Sequence, residues 1–353
     1  MPGRNDRGEY IFSVIVKRSY SVNADGSTQR CETSGLRKVD RYYEDGDPEW
    51  ATVQYESELA PYKPWTDVVI IGKAYAPGGI PTQHMLVEVT VGERRKVLAI
   101  SGHRECRYRH DADPLITEPE PFEEMEIRYE RAYGGRDEKT VPDVPFIYPR
   151  NFLGTGVVLR NLKEVIDGLI MPNIEDPQDV LSAERILIQE PERWHLQPLP
   201  QGLGWRHRTW YPRAALLGSY PPFIAAGTIT CEEELGLLPR NYFALAKQSR
   251  LKPYEAHFNN GASYGMIFRE FRGDEPVTLQ GLTREGRLQF SLPAETPIIG
   301  LDTGQGLEQL KPQLHTVSIR PEQRQLDLIW RGASVFADYA WLSKMTRLHA
   351  EVH

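Results

Sequence analysis

Cysteine is scarce in this chain, which has 3 cysteines among its 353 residues. Because Cys31, Cys106 and Cys231 are odd in number and far apart, the sequence predicts no disulfide framework. A long hydrophobic run is also missing. The most apolar stretch, residues 214–227, is interrupted by glycine and proline and is too short to span a bilayer. We therefore expect no membrane segment.

An excess of basic charge is missing as well. The formal net charge is −7 and the pI is about 5.8. This balance argues against a general nucleic-acid binder, because phosphate binding needs a concentrated basic field. Residues 1–7 contain no apolar core of the kind that a secretory signal requires. We expect a soluble, cytoplasmic protein that binds neither nucleic acid nor membrane.

Signals for metals, cofactors and catalysis are weak. His103, Cys106 and His110 are spaced closely enough to suggest a zinc site. Arginines at positions 104, 107 and 109 crowd the same segment with positive charge, which opposes the binding of a cation. We predict no metal site and no cofactor, and we assign no catalytic residue.

Strand signals dominate the sequence. Apolar and β-branched residues alternate in residues 9–20, and residues 85–100 are typical of a hairpin that turns at Gly92. Further strands are predicted at 68–71, 276–282, 287–292 and 316–330. Helical signals are short, such as residues 161–167. The sequence therefore predicts a mainly β fold with antiparallel sheets in a β-sandwich-like arrangement and short helices.

The end of the chain has a helical period. In residues 334–348 one apolar stripe is formed by Val335, Tyr339, Leu342 and Met345. This stripe predicts a C-terminal amphipathic helix that packs on the core. We predict a single β-rich domain over residues 1–353. Prolines between residues 141 and 151 mark an optional subdivision into 1–145 and 146–353.

Residues 129–135, Tyr-Glu-Arg-Ala-Tyr-Gly-Gly, combine aromatic, charged and glycine residues. A strand through this segment would place Tyr129, Arg131 and Tyr133 on one face. The arginine could then stack on the tyrosines and offer its guanidinium to a carboxylate. Gly134 and Gly135 can adopt positive φ and predict a sharp turn. The segment is either a structural strand and turn or a partner-binding face.

A second aromatic and basic cluster occupies residues 193–213. Tryptophan, tyrosine and arginine dominate protein interfaces, and they also suit a core in which arginines cover the edges of tryptophans. An aromatic and basic surface could alternatively hold a single nucleic-acid strand, which the acidic total disfavours. Together with Tyr129, Arg131 and Tyr133, the predicted partner-binding residues are Trp205, Arg206, Arg208, Trp210 and Arg213.

Residues 58–68 (Glu-Leu-Ala-Pro-Tyr-Lys-Pro-Trp-Thr-Asp-Val) and 72–79 (Gly-Lys-Ala-Tyr-Ala-Pro-Gly-Gly) begin an ordered series of blocks. The series continues through 121–122, 129–135, 172–177, 202–205, 210–213, 301–303 and 329–331. It covers most of the chain and resembles an uncharacterised-domain family encoded in bacterial type VI secretion clusters. The chain departs from that family at 102–104 and 151–156, where members carry Gly-Asp-Arg and an Asn-Pro-Val-Gly-like box.

Many members of that family are encoded beside genes for the spike protein VgrG, PAAR tips and toxins. The resemblance implies a cytoplasmic adaptor or chaperone that binds a toxin effector and helps load it onto the VgrG/PAAR spike. Two alternatives stay open. One is a hydrolase acting on cell-wall sugar or peptide with Glu130 or Glu175 as acids. The other is a structural component of the spike tip, secreted with the spike.

Overall fold

The computed structural model describes residues 1–43, 51–140, 145–188, 190–217, 256–302, 306–338, 340 and 349–352. The structure is mainly β, with 41% strand and 10% helix, which confirms the predicted class. Within the described ranges, no helix is both long enough and apolar enough to cross a membrane.

The largest sheet, called here the first sheet, contains seven strands. Their spatial order is β1 (Pro2–Arg4), β2 (Tyr10–Val22), β24 (Gln325–Phe336), β23 (Gln313–Arg320), β6 (Thr66–Ile70) and β18 (Ile267–Phe268), and β3 (Thr28–Cys31) pairs with β2. Neighbours are antiparallel except β6 and β23, which run parallel. The strands predicted at 9–20, 68–71 and 316–330 are confirmed here.

The second sheet has five strands. Their order is β17 (Ile174–Glu175), β9 (Arg94–Ser101), β8 (His84–Val91), β19 (Pro276–Gln280) and β20 (Arg287–Ser291). β8 and β9 form the predicted hairpin, with Gly92 at φ +58° in its turn. Val87 and Val89 are buried on one face of β8, whereas Leu86 is 60% exposed on the other. This alternation is typical of a sheet with one face packed on a core.

The remaining elements are short. A third sheet pairs β22 (Leu307–Leu310), β21 (Ile299–Asp302) and β25 (His349–Val352). The two-stranded pairs are β4 (Arg41–Tyr42) with β5 (Val53–Tyr55), β7 (Lys73–Tyr75) with β12 (Glu124–Glu126), β10 (Cys106–Arg107) with β11 (Leu115–Ile116), β13 (Tyr133–Gly134) with β16 (Thr155–Gly156), and β14 (Arg136–Asp137) with β15 (Phe146–Ile147). The described helical turns are α1 (Lys163–Ile166) and the 3-10 turns Pro77–Gly79, Tyr129–Arg131, Ala183–Arg185, Pro191–Leu196, Arg213–Leu217 and Ala256–Asn259.

One hydrophobic core joins the first and second sheets. Tyr20 and Leu328 of the first sheet belong to the same buried cluster as Leu98 and Leu279 of the second. Because this core takes residues from both sides of position 145, the optional subdivision does not separate two cores. A second core is built largely from irregular segments, and its aromatic members are Tyr133, Tyr148, Trp194, Tyr211 and Phe258.

The C-terminal helix predicted to begin at Ser334 does not begin there. β24 continues to Phe336, because Val335 pairs with Ile11 and Phe336 pairs with Tyr10, and strand pairing holds the backbone extended. Val335, expected on the buried stripe, is 57% exposed. The other members of the stripe, Tyr339, Leu342 and Met345, lie outside the described residues, which contain no long helix.

Shortening a leucine should be costly on the core face of the hairpin and nearly neutral on its outer face. Leu98 is fully buried, so Leu98→Ala should lower the free energy of unfolding by about 2–5 kcal/mol. Leu86→Ala removes the same atoms from an exposed position and should change it by less than about 0.5 kcal/mol. Urea unfolding at neutral pH measures both values. Equal losses would contradict the assigned faces.

Candidate functional site

The segment 129–135 is not a continuous strand. β12 ends at Glu126, Tyr129–Arg131 forms a 3-10 turn, and β13 begins at Tyr133. A long-range contact stabilises this break. The carboxylate of Glu130 accepts hydrogen bonds from the N–H and the hydroxyl of Thr52, at 2.7 and 2.5 Å. The prediction of one shared strand face is therefore wrong.

The tyrosines of this segment point into the protein. Tyr129 and Tyr133 are each 1% exposed. Tyr129 packs edge-to-face on Trp210 with 4.9 Å between ring centroids, and Tyr133 packs on Tyr148 at 5.1 Å. The structure thus brings Tyr129 and Trp210, one from each predicted cluster, into contact. Arg131, which lies between these two tyrosines in the sequence, is half-buried.

Gly134 and Gly135 have φ of +150° and +101°, backbone conformations that favour glycine. A Cβ on Gly134 would also collide with the carbonyl oxygen of Asn151. Asn151 is fully buried, and its side-chain amide donates to the carbonyls of Tyr129 and Tyr133 at 2.9 and 3.1 Å. The two glycines therefore permit a close approach between this segment and the chain around Asn151.

The second predicted cluster also lies mostly inside. Trp205, Arg206, Trp210 and Arg213 are 5%, 3%, 1% and 2% exposed, while the side chain of Arg208 is 37% exposed. The arrangement corresponds to the core alternative of the sequence analysis. A buried side chain cannot meet a partner while the fold is intact. The contact role predicted for these four residues, and for Tyr129 and Tyr133, is therefore not available in this structure.

An internal carboxylate organises the arginines of this cluster. Glu56 is 5% exposed, and its Oε1 accepts hydrogen bonds from Arg213 at 2.7 Å and from Arg208 at 3.2 Å. Burial raises the pKa of Glu56, but the combined attraction of Arg213, Arg208 and Lys63 outweighs burial, and the net pKa is lowered. The arginines are thus structural partners of a buried acid.

Glu56 belongs to a wider set of charged residues, called here the polar layer. The layer lies between one face of the first sheet and residues 53–63. Its ion pairs include Lys17 with Glu58 at 2.9 Å and Lys63 with Asp67 at 2.7 Å. The side chains of these four residues are at most 5% exposed. The polar layer consists of Lys17, Thr316, Ser318, Asp327, Arg331 and Asp67 of the sheet, and Glu56, Glu58 and Lys63 of the covering segment.

The acids of the hydrolase alternative are engaged in structural hydrogen bonds. Glu130 bonds to Thr52 as described above. Glu175 is 4% exposed, and it accepts from Arg104 at 2.6 Å and from the N–H of Leu181 at 2.8 Å. Burial raises the pKa of Glu175, although Arg104 opposes the shift. Each acid therefore joins two segments of the chain.

Residues 261–265, Gly-Ala-Ser-Tyr-Gly, match the Gly-x-Ser-x-Gly pattern of serine hydrolases and are not among the predicted sites. Lys96 Nζ lies 3.4 Å from Ser263 Oγ, a pairing that also occurs in Ser–Lys catalytic dyads. A nucleophile elbow, however, exposes its serine at a strand-to-helix turn. Ser263 is fully buried, and the chain continues into strand β18. Its hydroxyl cannot meet a substrate in this arrangement.

The three residues considered for zinc point to different neighbours. His103 Nε2 lies 3.2 Å from Glu105, and His110 is exposed beside Asp111. Cys106 is fully buried, with its sulfur 3.1 Å from that of Met171. Among the residues that the structure describes, no three His, Cys, Asp or Glu side chains form a group able to hold a metal ion.

An open groove of about 580 Å³ lies between the β8–β9 turn and the chain after β18. Its volume falls within the range of ligand-binding sites, roughly 300–1,000 Å³. Phe268 and Phe271 meet edge-to-face at 5.1 Å in this groove. We call it the aromatic groove, and its lining residues are Val91, Gly92, Glu93, Arg94, Phe268, Glu270, Phe271, Arg272 and Glu275.

The rim of the aromatic groove carries uncompensated negative charge. Glu93 and Glu270 are exposed, and neither has an ion pair or hydrogen bond to any described residue. The carboxylate of Glu275 accepts hydrogen bonds from backbone N–H groups, including that of Arg272 at 2.7 Å. The side chain of Arg272 pairs instead with Asp274 at 3.0 Å. The free carboxylates therefore favour a cationic ligand group at the rim.

Two long side chains of β9, Arg94 and Lys96, hold the chain around β18, and Arg94 also lines the aromatic groove. Arg94 lies 4.2 Å over the ring of Phe268 and donates to the carbonyl of Ile267 at 2.5 Å. Lys96 donates to the carbonyl of Tyr264 at 2.6 Å. β18 is the edge strand of the first sheet. Arg94 already binds the carbonyl of Ile267 on this strand, so that carbonyl cannot pair with an added strand. The groove therefore suits side chains rather than strand addition.

The aromatic groove is not among the sites predicted from the sequence. Its walls, residues 91–94 and 268–275, are far apart in the chain, and neither contains a catalytic motif. The available signal is Phe268-Arg269-Glu270-Phe271-Arg272, in which aromatic and charged residues alternate as they do in segment 205–213.

Removing the acid beneath Arg213 should destabilise the protein strongly. Glu56→Gln leaves a buried guanidinium without its carboxylate, and should lower the free energy of unfolding by about 3–5 kcal/mol. Glu190→Gln breaks an exposed pair with Arg193 and should cost less than about 1 kcal/mol. Chemical denaturation compares the two variants. A Glu56→Gln loss as small as that of the control would show that Glu56 is not required for the buried cluster.

We expect the free energy of unfolding to rise with pH above about pH 7 because of Lys96. Burial lowers the pKa of Lys96 from 10.5 to about 7, and nearby Arg206 lowers it too. Between these values the unfolded chain holds a proton that the folded protein has released, so stability rises with pH. Lys96→Met should flatten this rise in urea unfolding at about pH 7 and about pH 9. The exposed Lys311→Met is the control, and an unchanged slope in Lys96→Met would contradict the assignment.

Comparison with known proteins gives one family. The family described as an uncharacterized protein conserved in bacteria, DUF2169, matches residues 7–331. No curated protein and no solved structure matches the chain. The matched residues include both walls of the aromatic groove and the polar layer. The chain therefore belongs to the DUF2169 family of uncharacterized proteins conserved in bacteria.

Proposed function

We propose that this protein is an accessory adaptor of a bacterial type VI secretion system. It binds a toxin effector in the cytoplasm and helps load it onto the spike formed by VgrG and PAAR proteins. The ordered sequence blocks that resemble such accessory proteins motivate this proposal. The structural observation that supports a specific contact site is the aromatic groove, because its shape and charge suit a segment of another protein.

The size of the aromatic groove limits what can enter it. About 580 Å³ accommodates a few side chains of an extended segment, not a folded domain. Phe271 is only partly buried and offers apolar surface within the groove. Glu93 and Glu270 at the rim favour a lysine or arginine. The proposed occupant is therefore a segment of the effector in which a basic residue lies near an apolar one.

This proposal moves the contact away from the clusters predicted from the sequence. Those clusters are mostly buried, and the aromatic groove is open. Arg208 is the predicted contact residue of segment 205–213 whose side chain is partly exposed, and it is already paired with Glu56 and Asp40 at 3.2 and 3.3 Å. The clusters then have an architectural role, while the aromatic groove supplies the contact.

Reversing the rim charge should weaken effector binding. In the double variant Glu93→Lys, Glu270→Lys, like charges oppose the basic residue of the effector, and affinity should fall by about tenfold or more. Both positions are exposed, so the free energy of unfolding should change by less than about 0.5 kcal/mol per site. Co-purification and calorimetry with the toxin encoded beside this protein measure the effect. Glu118→Lys, Glu120→Lys makes the same charge change at exposed acids outside the aromatic groove.

The outcomes separate the function from the site. If the toxin is soluble and is secreted normally by a strain lacking this protein, the adaptor proposal fails. If the toxin binds and the rim variant binds as well as its control, the adaptor proposal stands and the aromatic groove is not the contact. Recovery of the protein from culture supernatant together with the spike would favour a structural tip component instead.

A further inference from the structure

A cavity lies inside the polar layer, apart from the aromatic groove. Its volume is about 10 Å³, room for about one water-sized particle. The charged residues of its lining are Arg37, Glu56, Glu58, Lys63 and Arg331, and Ser318 adds a hydroxyl group. A cavity surrounded by ionised groups is not a dry packing defect, because polar walls favour a polar occupant.

Arg331 is a buried cation whose partners are uncharged. It is 3% exposed, and it donates to the backbone carbonyls of Ala60 and Glu58 and to Nδ1 of His315. Burial and two nearby cations hold the pKa of His315 well below its ordinary value, so this ring is neutral. Among the described residues, no carboxylate forms an ion pair with Arg331. Burial lowers the pKa of Arg331 to about 10, although the carboxylates of Asp67, Glu58 and Glu56 attract it from beyond ion-pair distance. A buried charge without a paired counter-charge is costly, so a further compensating group would stabilise it.

Further hydrogen-bond donors line the same cavity. Ser318 is 5% exposed, and its hydroxyl has no partner among the described residues. Lys63 donates to Asp67 at 2.7 Å and to Thr316 at 3.2 Å, which leaves one of its three N–H groups. Arg331 has five N–H groups and three acceptors.

The carboxylates of the lining are already occupied. Glu58 accepts from Lys17 and from the side chain and backbone N–H of Arg37, at 2.9, 2.6 and 2.8 Å. Glu56 accepts from Arg213 and Arg208. The cavity lining has spare donors, and its three cations (Arg37, Lys63 and Arg331) outnumber its two carboxylates (Glu56 and Glu58). Its occupant must therefore accept hydrogen bonds.

We propose that this cavity is a binding site for a small monovalent anion of the halide class, held by Arg331, Lys63 and Ser318. A single-atom anion is only a little larger than the water-sized particle for which the cavity has room. It accepts hydrogen bonds from all sides and lies beside Arg331, which forms no ion pair with a carboxylate among the described residues. Larger anions such as gluconate do not fit. Because the folded protein forms the site and the unfolded chain does not, chloride stabilises the fold by mass action.

Thermal unfolding in sodium chloride and in sodium gluconate tests this site. Equal ionic strength in the two series removes differences in screening. Chloride should raise Tm along a saturable curve, and gluconate should not. Ser318→Ala removes one donor to the anion and should raise the half-saturating chloride concentration by about tenfold. Ser291→Ala, an exposed serine on β20, should leave the curve unchanged.

Two results would overturn the proposal. One is an identical Tm in the two salts, which means that the cavity holds water only. The other is a chloride effect of equal size in the wild type and in Ser318→Ala, which means that chloride acts elsewhere. Crystals grown in bromide provide a direct check that does not depend on stability. An anomalous peak beside Arg331 supports the site, and bromide peaks confined to the surface contradict it.

Discussion

The pairing of charges between the first sheet and residues 53–63 is the constraint on which much of this structure depends. A sheet buried on both faces usually carries apolar residues on both. Here one face carries the lysine, arginine and aspartate side chains of the polar layer. The covering segment must therefore match charges rather than simply exclude water. Glu58 between Lys17 and Arg37, and Lys63 against Asp67, fix the position of that segment.

This segment and the residue just before it anchor both clusters that looked like contact surfaces in the sequence. Thr52 holds Glu130 and breaks the strand that would have aligned Tyr129 with Tyr133. Glu56 draws Arg213 and Arg208 inward. A few polar contacts from one segment thus hold most of the side chains of the two aromatic and basic clusters inside the protein. The tyrosines and tryptophans then pack on each other, as Tyr129 does on Trp210.

The strands could be predicted because their signal is local. In β2, β8 and β9 the alternation of apolar residues is visible within a dozen positions, and pairing in the sheet follows from it. The clusters could not be placed in the same way. Glu56 and Arg213 are 157 positions apart, and composition does not say whether an arginine meets solvent or a distant buried acid. The helix predicted to begin at Ser334 was wrong for a related reason. The local apolar stripe indicated a helix, but pairing with Tyr10 and Ile11 keeps β24 extended to Phe336.

The aromatic groove lies where the two large sheets meet, and this position gives it an asymmetric field. Arg94 of the second sheet lines its inner wall and donates to the carbonyl of Ile267 in β18 of the first sheet. Its rim carries the free carboxylates of Glu93 and Glu270. A basic group that enters the groove is repelled by Arg94 on the inner wall and attracted by the carboxylates of the rim, while an apolar group can move in toward Phe271. For the effector segment that we propose, these charges favour one orientation, with its apolar side chain inward and its basic side chain at the rim.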